Sequence, residues 1–325
     1  MPITLKKRIS LRSGIRSYTF VLLAVLLSAI SVGVTQLHQV DGLDGLDQAP
    51  AAASPRGLSL YVDPAVATSG RPSQITSQPT ATWLGGWSGD VQVAASTLVD
   101  SAAAQHTVPV MVAYNIPARD CGSYSAGGAN SSEQYRAWIR QLATGIGERQ
   151  AIVILEPDAL TQITCLNPSD QAARYADLSD AVNVLQTQTR ASVYLDAGHS
   201  NWVGASDMAE RLQRAGLAGA RGFSVNVSNF QSTSDSTRFG DQVSAMTGKS
   251  YVVDTSRSGN GSNGEWCNPR GRALGDTPTT NVGGNVDAYL WVKVPGESDG
   301  SCNGGPSAGV WWEEYAQELI TNSHY

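Results

Sequence analysis

Four aspartates stand where apolar runs end. Asp120 follows "VPVMVAYNI", Asp158 follows "AIVILEP", Asp196 closes "ASVYL" and Asp299 follows "VDAYLWVKVPGES". One such residue reads better as a helix N-cap, and Asp158, just ahead of a helix expected to begin near Leu160, fits that role. Four at successive strand ends form a set that can converge in one cleft. Like charges there oppose one another, and one carboxyl is held protonated as a general acid. Aromatics accompany the carboxylates: Tyr114, Trp83, Trp202 and Trp266 fall in loops or at strand ends. A single tryptophan is as readily core, but flat, rigid rings beside carboxylates suit stacking on the apolar faces of sugars at little entropic cost.

Other chemistries lack their signatures. "GNGSNG" (259–264) matches Gly-x-Gly-x-x-Gly but runs into "EWCNPRG" instead of opening a helix, so nucleotide binding is not supported. There is no Gly-x-Ser-x-Gly elbow for a serine hydrolase. His38, His106, His199 and His324 have no metal-ligand spacing. Neither metal nor cofactor is expected.

The elements that must position these groups alternate. Helical patterns are read at 91–105, 133–147, 171–188, 206–216 and 237–248, and in "VWWEEYAQELITN" (310–322). Strands are read in 107–116, 151–158, 191–198, 222–230, 250–259 and 286–297. In the helix at 133–147, Tyr135, Trp138, Ile139 and Leu142 share one face. Near-continuously apolar strands between helices argue for a parallel sheet covered on both sides, and six or seven such units favour a closed (β/α) barrel. In that α/β fold every strand end meets at one face, where sites lie.

Residues 1–57 differ from the rest. Lys6, Lys7, Arg8, Arg12 and Arg16 precede the apolar run "TFVLLAVLLSAISVGV" (19–34), the pattern of an export signal or a retained N-terminal membrane anchor. Residues 1–37 are assigned to that segment, 38–57 to a linker and 58–325 to the folded domain. Of 22 Lys/Arg and 28 Asp/Glu, residues 1–57 hold six and three, leaving the domain at −9. That balance argues against nucleic acid and suits a neutral substrate. Cys121, Cys165, Cys267 and Cys302 lie in the exported part, where an even count favours two disulfides; sequence alone permits three pairings. The expected location is secreted or tethered outside the cell membrane, and the domain is expected to be a monomer.

"YNIPARDCGSYSAGG", "ILEPDAL", "YLDAGHSNW", "GFSVNVSNF", "DTSRSGNG", "WCNP" and "LWVKVPGESDG" together resemble, in order, the motifs of glycoside hydrolase family six. That family contains cellulose-degrading endoglucanases and cellobiohydrolases. The resemblance runs from "LYVDP" at Leu60 to the C-terminus and implies a distorted TIM-like barrel with one strand fewer than eight. It implies Asp158 as general acid, Asp120 as the residue that raises its pKa and helps position the attacking water, and Ser125 as the serine that holds that water. Tyr114 would press on the sugar at the cleavage point. Asp299 matches a base whose role is disputed in the family. Asp196 and His199 match the Asp-Ala-Gly-His positions. Lys293, Glu297 and Asn226 match sugar-contacting positions, and Trp83, Trp202 and Trp266 match sugar platforms. The family pattern also pairs Cys121 with Cys165 and Cys267 with Cys302.

Two departures bear on the mode of attack. Ser301 alone separates Gly300 from Cys302, where cellobiohydrolases carry a long loop that roofs the substrate, and Ala205 stands where they carry a second Trp. An open groove and internal cleavage of β-1,4-glucan are therefore expected, and the family resemblance implies inversion. A cellobiohydrolase is the alternative within the family. A sugar-binding protein without catalysis is disfavoured because both Asp158 and Asp120 are present. A cell-wall structural protein is separated by whether the domain shortens a soluble glucan.

Overall fold

A computed structural model describes residues 53–323. Seven parallel strands run β1 (Thr82–Leu84), β2 (Val110–Ala113), β3 (Ile152–Leu155), β4 (Ser192–Asp196), β5 (Gly222–Val225), β6 (Ser250–Asp254) and β7 (Val286–Leu290). Each pairs with the next in sequence order, as short βα connections dictate. The sheet curls until its edges meet: Ala81 N donates to the Trp291 carbonyl at 3.0 Å, in a parallel bridge between Thr80 and Trp291. The result is the seven-stranded, distorted barrel expected from sequence.

The strands read as apolar runs because both of their faces are buried. Val110, Val112, Ile152, Ile154, Tyr194, Val252, Ala288 and Leu290 pack together on one face. The alternate residues, Met111, Ala113, Val153, Leu155, Val193, Leu195, Phe223, Val225, Tyr251 and Val253, pack under the helices. Period-two alternation thus separates barrel interior from outer layer. Each large side chain removed from water contributes about 1.5–3 kcal/mol.

The helices are α1 (Pro64–Ala67), α2 (Ser73–Thr76), α3 (Val91–Ala104), α4 (Ser132–Ile146), α5 (Pro168–Gln188), α6 (Ala205–Arg214), α7 (Thr233–Thr247) and α8 (Glu313–Thr321). Asp90, Ser131, Asn167 and Ser232 cap α3, α4, α5 and α7 by accepting from backbone N–H groups of the first turn. In α4, Tyr135, Ile139 and Leu142 are buried and Trp138 lies half-buried beside them. Gly145 lets α4 close on α3, since a Cβ there would lie 2.4 Å from the Gln92 carbonyl.

Several boundaries differ from expectation. β1 was not legible, because three residues carry no period. α7 starts four residues earlier than its apolar pattern, where Ser232 provides the cap. The last strand stops at Leu290 and the chain bends into the cleft. Arg56, read as linker, contacts the domain. Arg56 Nε donates to the buried Asp287 at 3.0 Å, while Arg221 grips both oxygens of that carboxylate at 2.8 Å. The signal or anchor assigned to 1–37 and the linker up to residue 52 lie outside the described residues. Among the described residues no helix is long and apolar enough to cross a membrane.

Candidate active site

The C-terminal ends of the strands open into one cavity of about 1140 Å³. It brings together Trp83, Tyr114, Asp120, Ser125, Asp158, His199, Trp202, Trp266, Lys293, Glu297 and Asp299, which are spread over more than 200 residues of sequence. Two of the singled-out residues do not line it. Asn226 is fully buried, with its amide committed to the carbonyls of Gln231 and Asp254 and to the Gln231 N–H. It shapes the turn after β5 and does not face a ligand. Asp196 lies beneath the cavity floor and accepts from Asp158 N at 3.0 Å and Gly198 N at 3.1 Å.

Asp158 is held by its backbone, not by an N-cap bond. Its φ of 68° and the 52° of Glu156 are left-handed conformations, which cost non-glycine residues roughly 1–3 kcal/mol each. Glu156 anchors this turn: its carboxylate accepts from Asn115 N and Ile116 N, each at 3.0 Å, tying the end of β3 to the end of β2. Burial pushes the Asp158 carboxyl well above the usual carboxylate range, and the charges of Asp196 and Asp120 push it further. Burial also raises Asp196, to about 6, although the N–H groups of Asp158 and Gly198 oppose the shift. A carboxyl kept protonated between two others is the arrangement that a general acid requires.

Asp120 opens the strained loop after β2. Its φ is 55° and that of Cys121 is 47°. Its carboxylate accepts from Ser125 N at 2.7 Å and from Gln162 Nε2 at 3.0 Å. Arg119 sets the loop's shape: its guanidinium donates to the carbonyls of Tyr114 at 2.7 Å, Ser125 at 2.8 Å and Ala126 at 3.2 Å. The Cys121–Cys165 disulfide ties this loop to the segment after Asp158.

The opposite wall is built on a buried ion pair. Arg257, fully buried, donates to both oxygens of Asp299 at 2.9 Å, and Asn268 N donates to the same carboxylate at 3.0 Å. Lys293 Nζ lies 3.9 Å from it, its pKa lowered by burial. Burial raises Glu297, against the pull of Lys293, Arg71 and Arg257. The Cys267–Cys302 disulfide pins Trp266 to this wall. Gly300 leaves room for Tyr124 from the opposite loop, whose ring would collide with a Cβ there, and Tyr124 also packs on Trp266 at 5.9 Å.

Aromatic surfaces line the rest. Trp83 donates through Nε1 to the Val292 carbonyl at 2.8 Å and meets Tyr114 edge-on at 5.2 Å. Trp202 and Trp266 are 42% and 55% exposed, which leaves broad ring area for a ligand. His199 tilts against Trp202, and burial lowers its pKa to about 4.

Sequence reasoning missed Arg119, Gln162, Arg257 and Trp87. Arg119 adjoins Asp120, and Arg257 sits in a strand-end motif, so both carried a positional signal. Gln162 carried none. Trp87 had a weak one, as a loop tryptophan after Gly-Gly.

Residues 59–323 match the family model described as Glycosyl hydrolases family 6. The chain is 48% identical over 257 residues to Endoglucanase A of Cellulomonas fimi, a match covering 78% of this chain and 56% of that protein, or just over half its length. It is 46% identical to Endoglucanase 1 of Streptomyces halstedii, over 76% of this chain and 80% of that one. It superposes on the endoglucanase Cel6 of Mycobacterium tuberculosis, solved in complex with methyl-cellobiosyl-4-deoxy-4-thio-β-D-cellobioside. The TM-score is 0.80 and the identity 42%, over 83% of this chain and 99% of that one. Family model, relatives and solved structure agree with the geometry of the cleft: this chain belongs to glycosyl hydrolases family 6.

Proposed function

We propose that the chain is an endo-β-1,4-glucanase that cleaves internal bonds of cellulose-type glucans with inversion. The observation that carries this reading is the placement of Asp158 beside Asp196 and Asp120, where burial and their charges raise its pKa, in a cleft walled by exposed tryptophans. Asp158 donates its proton to the leaving glycosidic oxygen. Tyr114, backed by Trp83, presses on the sugar at the scissile bond. Ser125, whose N–H is fixed on Asp120, holds the attacking water; as its oxygen bonds to the anomeric carbon and the bond to the leaving oxygen breaks, the water's proton passes through a second water to the Asp120 carboxylate. Both oxygens of Asp299 are engaged by Arg257 and Asn268, which favours a fixed counter-charge over a free base.

Internal attack is supported by the short Gly300–Cys302 connection, which leaves little chain to roof the groove, and by relatives at 43–48% identity that are named endoglucanases. The two disulfides suit an oxidising compartment outside the cell. Digestion of carboxymethylcellulose tests the reading. Viscosity should fall well before many reducing ends appear, and the first product should be the α-anomer by NMR. Release of cellobiose with little viscosity change would point to a cellobiohydrolase. A β-anomer would overturn inversion.

A further inference from the structure

We propose that Trp87, on the loop between β1 and α3, is an additional sugar platform. It would extend the cleft by one glucosyl unit past Tyr114 and give preference to longer chains. The proposal rests on the glucanase reading above.

Trp87 lines the same cavity as Asp158 yet is 57% exposed, the largest exposure among the cleft tryptophans. An exposed indole leaves apolar area in water that a ligand can recover. The ring is nevertheless fixed. The Arg119 guanidinium lies over this ring at 4.9 Å from its centroid and over that of Tyr114 at 4.6 Å, so one cation contacts both rings. Gly85 completes the seat: a Cβ there would lie 2.5 Å from the indole and 2.8 Å from the Tyr114 carbonyl. Among the described residues the indole Nε1 has no protein acceptor, whereas that of Trp83 is committed to Val292, so Trp87 keeps a donor for a sugar hydroxyl. A flat ring, immobilised before the ligand arrives and open on its cleft side, loses little entropy on stacking. Trp87 and Tyr114 are separate rings that share one guanidinium, and we assign them to different sugars of the chain.

A bracing role for Trp87 over Arg119 makes a different prediction, and three variants separate the two. Trp87→Phe keeps a flat ring, Trp87→Leu keeps an apolar cover without a flat face, and Trp87→Ala removes both. Binding is read by calorimetry with cellohexaose and cellotriose in an Asp158→Asn background, and turnover by the KM and kcat of the otherwise wild-type enzyme on cellohexaose and p-nitrophenyl cellobioside. A platform predicts that Ala and Leu alike weaken cellohexaose binding about three- to ten-fold. Cellotriose binding should weaken much less, Phe should recover most of the loss, and the turnover effect should fall on KM. The proposal is overturned if Leu behaves as wild type while Ala lowers kcat on both substrates, which is the brace, or if Ala changes neither ligand's affinity. Carboxymethylcellulose hydrolysis by the wild type tests the glucanase reading separately. An enzyme that binds cellohexaose through Trp87 but cleaves no glucan would refute that reading and leave the platform standing.

Discussion

At the level of single residues, the acid and its neighbours make opposing demands on protons. In the proposed role Asp158 must be protonated to act, and the Asp120 charge, with burial and Asp196, raises its pKa. Asp120→Asn removes that charge, so the acid loses its proton at lower pH. The basic limb of the kcat/KM profile should then move to lower pH, along with a loss of rate. An unmoved limb would show that burial and Asp196 alone set the acid. Asp158→Ala should nearly abolish turnover of glucans. It should cost far less on aryl glycosides whose phenolate leaves without a proton, and an equal loss on both would remove Asp158 from the acid role. Arg257 invites a different experiment. Its guanidinium is the principal partner of a buried carboxylate. Arg257→Ala strands Asp299 and should destabilise the domain by about 3–5 kcal/mol in urea unfolding. Arg257→Lys keeps a charge but loses the fork and should recover only part of this. A loss under about 1 kcal/mol would mean that the pair sits in an effectively aqueous setting.

At the level of elements, the sites of chemistry ride on loops, and the disulfides decide how firmly. Cys121–Cys165 spans 44 residues and joins the loop bearing Asp120 to the segment after Asp158; Cys267–Cys302 spans 35 and holds Trp266 beside Asp299. Chain-entropy reasoning gives each about 4 kcal/mol. Paired Cys→Ser changes should lower urea stability by that order. The Cys121/Cys165 pair should also lower kcat, because Asp120 and Cys121 hold left-handed backbone that the bridge helps to fix. Wild-type kcat in that variant would assign the loop's shape to Arg119 alone. The strands and large helices were legible because their signals are local: continuous apolar runs for β2 to β6, and capped, periodic patterns for α3 to α5. β1 was not, because its three residues owe their conformation to pairing with β2. The carboxylates that the cleft brings together were legible as strand-end aspartates and through family motifs. Arg119 and Gln162 were not, because their roles exist only where the loop folds back on itself. Asn226 shows the converse. It stands in a motif at a strand end, and the fold spends its amide on the backbone.

At the level of the whole molecule, the barrel gathers carboxyls at one end that the solvent cannot stabilise, and this makes folding depend on pH. Glu156 titrates near 4.5 when exposed and at about 7 in the fold. Between those values the native state holds a proton that the unfolded chain has released, so stability falls as pH rises across the window. Asp196, raised to about 6, acts the same way, as do Asp158, Asp254 and Glu297, each raised chiefly by burial. His199 opposes them. It titrates at about 4 in the fold against 6.5 when exposed, so its contribution grows as pH rises between those values. Asp287 is lowered by Arg221, Tyr194 and Arg56, and its contribution is lost only in acid, as pH falls through its depressed value. Several carboxyls outweigh one imidazole up to pH 6.5, and above that no histidine term remains. Urea unfolding should therefore give a higher free energy at pH 5 than at pH 7.5, with a fall again in strong acid. Glu156→Gln removes the titration while keeping one oxygen for the Asn115 and Ile116 N–H groups, and it should flatten the slope between pH 5 and 7. A wild-type stability that climbs from pH 5 to 7.5 would mean that the cleft carboxylates are solvated and ionised, and Asp158 would then have no environment to keep it an acid.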